Sequence, residues 1–189
     1  MGRFLAIGLI YEADVFRDEM NSVKADIADV TAEMQKSLGY DIAMYDVVES
    51  NDFVEFTLKK EILHTNLYSF LKEFYPIIYS DKSSVYSEEY QKILDLLETD
   101  KFDECMNIAK SRSNMTFRFD SYAEPQFMHV GEVFRKSITI QTEIINLYYG
   151  YGKIVTEGIN DIERIFEHFA RKALKNQPIA QTLRLYVSG

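Results

Sequence analysis

The chain has 189 residues, 47% hydrophobic and 27% charged, which suits one globular domain or two small halves sharing a sheet and excludes a disordered chain. Its formal charge is −9, and residues 1–112 alone hold 22 acids against 12 bases, so phosphate is repelled and neither nucleic acid nor an anionic membrane is an expected partner. The single cysteine excludes an internal disulfide framework and a cysteine-based zinc site.

Phe4 to Tyr11 is apolar on both faces and predicts a strand covered on both sides. Its eight residues are too short to cross a bilayer. No small-residue cleavage site follows, so a cytoplasmic location is expected. Asp14 is expected to open a long helix, because Phe16, Met20, Val23, Ile27, Val30 and Met34 form one stripe that Gly39 stops. Tyr40–Glu49 and Phe53–Leu58 predict two strands joined by a tight turn at Ser50-Asn51-Asp52. A helix over 60–75, with Leu63, Leu67, Phe70, Leu71 and Phe74 on one side, ends at Pro76. Strand, helix, strand, strand, helix is most of a ferredoxin-like unit.

Residues 81–112 read as a small helical insertion. Ser87 is expected to cap a helix with Tyr90, Ile93, Leu94 and Leu97 inward. Thr99 or Asp100 is expected to cap a second, with Phe102, Cys105, Met106 and Ala109 inward. Met115, Phe117 and Phe119 alternate with polar residues as a strand that Pro125 breaks. Phe127–Arg135 and Ser137–Tyr149 predict further strands. Gly150-Tyr151-Gly152 reads as a hairpin turn leading to Lys153-Ile154-Val155. A helix capped at Asn160 and a closing strand over 182–187 complete the pattern. The fold class is therefore α+β with a largely antiparallel sheet. It divides into a ferredoxin-like half over 1–80, the insertion over 81–112, and a strand-rich half over 113–189 ending strand-helix-strand, all within one unit.

No motif names a reaction, and no cofactor or metal is implied. Cys105 lies in an apolar helix face, which suits a buried structural thiol rather than a nucleophile. His64 and His168 sit beside apolar stripes. His129, with Asp120 or Glu124 nearby in sequence, is the one candidate for general base or ligand work, in a small-molecule-binding protein or enzyme. The favoured function is a non-enzymatic protein-binding or regulatory module, of inhibitor or immunity type, that takes a basic protein partner. Tyr68, Tyr75, Tyr79, Tyr86 and Tyr90 interleave with Glu88 and Glu89, pairing rigid aromatic surface with steering charge. Tyr148, Tyr149 and Tyr151 form a second candidate binding cluster. A homodimer through a sheet edge or the long helix is the structural alternative.

Overall fold

Period-two alternation places the first strands. In the computed structural model, which describes residues 4–74, 76, 84–111, 117–130, 134–151 and 178–188, β1 spans Phe4–Phe16, β2 Tyr45–Glu49 and β3 Phe53–Leu58. Burial along β3 alternates residue by residue, with Val54, Phe56 and Leu58 inward. Ser50 closes the β2–β3 hairpin, its hydroxyl accepting from the amides of Asp52 and Phe53. Later come β4 (Arg118–Val130), β5 (Phe134–Tyr151) and β6 (Leu183–Ser188). The strand order is β2-β3-β1-β5-β4, with β6 also pairing β1. The β1–β3, β2–β3 and β1–β6 pairs are antiparallel, so the fold is α+β on a largely antiparallel six-stranded sheet.

The helices are α1 (Arg17–Val23), α2 (Ile27–Glu33), α3 (Lys60–Ser69), α4 (Ser84–Glu98), α5 (Phe102–Ser111) and α6 (Pro178–Thr182). The expected long helix from Asp14 is corrected in two respects. β1 continues through Asp14 to Phe16. The helix is then interrupted at Lys24, which adopts a left-handed conformation, and Asp26 opens α2 through a reciprocal capping box with Asp29. Part of the stripe survives the break: Met20, Val23, Val30 and Met34 are buried, but Ile27 is half-buried and Phe16, now the end of β1, is exposed. A wide turn over Met34–Leu38 ends at Gly39, whose φ of 68° is the left-handed stop that glycine allows.

Other expectations are redrawn by local backbone chemistry. Ser87 lies inside α4, which starts at Ser84. Thr99 closes α4 by bonding back to the Asp95 carbonyl, and Asp100 turns left-handed, so neither caps α5. The inward sets are Tyr90, Ile93 and Leu97, then Phe102, Cys105, Met106 and Ala109, while Leu94, also expected inward, is only half-buried. Pro125 does not break β4. Among the described residues the strand lies last in the sheet order, a position that tolerates a residue with no amide hydrogen. Gly150 and Tyr151 continue β5 rather than turning. Ile144, Ile145, Asn146 and Leu147 are all buried, so β5 is covered on both faces there. The turn at Gly152, the strand at Lys153 and the helix from Asn160 lie outside the described residues.

Two compact units share these elements. The first comprises Met1–Leu9, Lys60–Phe119 and Ile145–Gly189, and the second Ile10–Lys59 and Asp120–Ile144. In the first, α3 packs on α4 and α6, and α4 packs on α5. Buried Asn66 donates its amide to Thr182 Oγ1 at 2.8 Å, and the Tyr90 hydroxyl donates to the Leu147 carbonyl. In the second, Tyr40 and Thr142 share a buried hydrogen bond at 3.2 Å, and Glu19 accepts from the Thr139 amide. Removing one partner from a buried pair leaves the other unsatisfied. Thr182→Val is therefore expected to cost about 1–3 kcal/mol, read by urea unfolding, and Asn66→Leu in the same chain is expected to recover part of that loss. Equal stability of Thr182→Val and the parent would show that the Asn66 bond contributes nothing.

Candidate functional site

Charge is sorted by the fold. The second unit holds 16 acids and 6 bases, net −10, and the first holds 14 acids and 15 bases, net +1. Within the acidic unit, antiparallel register sets Asp14 opposite Glu55 and Glu12 opposite Thr57. Ala13 and Val15 alternate with these acids and are fully buried, as are Val54 and Phe56 on β3. One face of the ladder is thus apolar and closed, and the other carries carboxylates.

Those carboxylates are close. One oxygen each from Glu12, Asp14 and Glu55 lies within 4.8 Å of the others, and all three residues are half-buried. Thr57 Oγ1 donates to Glu55 Oε1 at 2.7 Å. Asp14 Oδ1 is shut off from solvent and has no hydrogen-bond partner among the described residues. Burial, then the charges of Glu55 and Glu143, push the Asp14 carboxyl up to about 6. Burial, then Glu12, Glu143 and Glu55, also raise the Tyr11 hydroxyl. The oxygen-only donor set of Glu12, Asp14 and Glu55 is the kind that hard cations such as calcium take, and it equally suits carboxylates that share a proton.

The ladder continues into β2, where Asp46 pairs with Thr57 and Val48 with Glu55, on the same face as the acids. Val47 and Val48 are 42% and 54% exposed, and Asp46 and Glu49 are exposed beside them. Arg17 Nη2 bonds Glu49 Oε2 at 2.6 Å, and Lys59 Nζ donates to the Ala43 carbonyl at 2.8 Å.

The sequence candidates lie elsewhere. Asp120, half-buried, together with Glu124 and His129, is strung along β4, which runs without interruption from Arg118 to Val130. The side chains of Glu124 and His129 are outside the described ones. Tyr86, Glu88 and Glu89 belong to α4 in the nearly neutral first unit, with Glu88 and Glu89 exposed and the Tyr86 side chain outside the description. Tyr148, Tyr149 and Tyr151 lie at the end of β5, their side chains likewise outside it. The acids Glu12, Asp14 and Glu55 carry a legible signal that went unused: Glu12-Ala13-Asp14-Val15 and Val54-Glu55-Phe56 both alternate with period two. The helix expected from Asp14 obscures that alternation.

Two remaining groups are accounted for by packing. Cys105 is buried, and desolvation pushes its thiol up to about 12, which disfavours the thiolate at neutral pH. His64 Nε2 donates to the Leu97 carbonyl at 3.1 Å and its ring sits 5.7 Å from that of Phe102. It lines an open groove of about 500 Å³ with Thr65, Tyr68, Leu97 and Glu98. There the Tyr68 hydroxyl donates to Glu98, and Lys72 pairs with Glu98 at 2.9 Å. The hydrogen bond and charge of Lys72, with the Tyr68 hydroxyl adding to them, hold the Glu98 carboxyl below its ordinary value.

No protein-family model matches the chain, and no curated protein or solved structure does either.

Two outcomes are expected. A raised Asp14 pKa favours the folded state when the group is protonated, so its contribution is full below about 3.8 and is lost as pH rises through about 6. Asp14→Asn removes that loss. With solvent screening allowed for, it should gain about 1 kcal/mol at pH 7.5, roughly 2–4 °C in Tm, and little at pH 4. A gain of the same size at both pH values would contradict the strained carboxylate. Cys105 should resist a thiol reagent in the native protein and react at the rate of global unfolding; immediate labelling would contradict its burial.

Proposed function

We propose that the chain is a non-enzymatic binding module whose acidic unit engages a basic protein partner, in a regulatory or inhibitor-type role. The observation that carries this reading is the net −10 of Ile10–Lys59 and Asp120–Ile144, against +1 for the rest. A field of one sign on one unit accelerates encounter with a cationic partner and rejects anionic ones. The carboxylates of Glu12, Asp14 and Glu55 add to that field from a face that remains partly open. The tyrosine-rich 68–90 segment carries less weight, because Lys72 already neutralises Glu98 beside Tyr68 and the unit around it is nearly neutral. The catalytic alternative through His129, Asp120 and Glu124 has no described side-chain geometry in its favour.

The antiparallel β1–β3–β2 ladder supports a ferredoxin-like first half as the scaffold. No helix among the described residues is long and apolar enough to cross a membrane, and the one thiol is free and buried; both accord with a cytoplasmic protein.

Binding of a fluorescent lysine-rich peptide, followed by anisotropy, is expected to weaken by about tenfold or more between 50 and 500 mM NaCl, as screening shortens the reach of the charges. Replacing Tyr86, Glu88 and Glu89 together by alanine should leave it within about twofold. Equal binding of a glutamate-rich peptide would reject the acidic reading, and loss of binding in the triple variant would move the surface to α4.

A further inference from the structure

Backbone polarity along β2 fixes which of its groups are open. Ser50 donates its amide to the Phe53 carbonyl, and Lys59 donates to the Met44 carbonyl. Those contacts, in the register that pairs Tyr45 with Leu58, make 44, 46, 48 and 50 the positions bonded to β3. The amide and carbonyl of Val47 therefore point away from the hairpin, and among the described residues β2 pairs only with β3. Val47 and Val48 are exposed, with no lysine or proline in the strand to block addition. An open, partly apolar edge of this kind is what strand addition uses.

Charge selects the occupant. A second copy would bring another unit of net −10 against the first, which repulsion opposes. An extended segment alternating cationic and apolar residues meets no such barrier. Strands lie about 4.8 Å apart, so its cations, laid beside Asp46 and Val48, would reach Asp46 directly and Glu55 one strand further in. The neighbouring cations do not compete, since Arg17 is bonded to Glu49 and Lys59 to a backbone carbonyl.

We propose that β2 is a docking edge onto which a basic, extended protein segment adds as a further strand, its Lys or Arg side chains lying over Asp46 and Glu55, with Asp14 and Glu12 on β1 adding to the negative field behind them. This rests on the acidic reading given above and names its surface and its mode.

A synthetic peptide of alternating lysine and valine is the probe, titrated by anisotropy and by amide chemical shifts of the labelled protein. Shift changes should centre on residues 45–49. Val47→Pro removes the outward amide and leaves the β3 ladder intact, so binding should fall about tenfold or more with an otherwise parental spectrum. Should Val47→Pro fail to fold, Val47→Lys keeps the backbone and places a cation at the edge, with the same expected loss. Salt-sensitive binding that both variants preserve, or shifts centred elsewhere, overturns strand addition and leaves the acidic reading standing. Absence of any binding overturns both. Concentration-dependent dimerisation of the free protein that Val47→Lys abolishes would overturn the proposal in favour of a second copy.

Discussion

Alternation along β1 and β3 is the constraint from which the rest of the acidic unit follows. A strand with one face in the core must place every second side chain on the other face. Ala13, Val15, Val54 and Phe56 occupy the closed face completely. Glu12, Asp14 and Glu55 are thereby forced together on the opposite one, and register rather than attraction brings them within 4.8 Å. Slipping the pairing by one residue would relieve the repulsion only by burying three carboxylates, a much larger penalty. The raised Asp14 carboxyl is the residue of that conflict.

The same ladder gives the acidic face a boundary. β2 is short and exposed over four consecutive residues, and Tyr45 alone anchors it in the core. Arg17 fastens the hairpin end, donating its amide to the Asp52 carbonyl and pairing with Glu49. An edge secured at both ends but open between them is a stable template. The acids behind it supply the selectivity that main-chain hydrogen bonds lack.

The helix-bearing unit is built on different terms. Several of its described polar groups are closed off, His64 on Leu97, Asn66 on Thr182, the Tyr90 hydroxyl on Leu147 and Lys72 on Glu98, while buried Gln181 Oε1 has no partner among the described residues. Cys105 sits among apolar neighbours with its thiol well above neutral pH. Satisfied groups of this sort stabilise a core and leave little for a ligand.

Sequence by itself determined the class and most of the inward-facing residues. The hairpin at Ser50, the apolar faces of α4 and α5, and the stripe from Met20 to Met34 all follow from periodicities that are local and need no partner. Where local signals competed, tertiary structure decided. Asp14 carries the local signal of a helix start, but pairing with β3 keeps it in a strand; Pro125 carries that of a break, yet β4 runs on through it. Charge shows the division most clearly: the total of −9 can be read from composition, but its sorting into units of −10 and +1 depends on which distant segments pack together. Glu12 and Glu55 are 43 positions apart, and only the antiparallel pairing of their strands makes them neighbours.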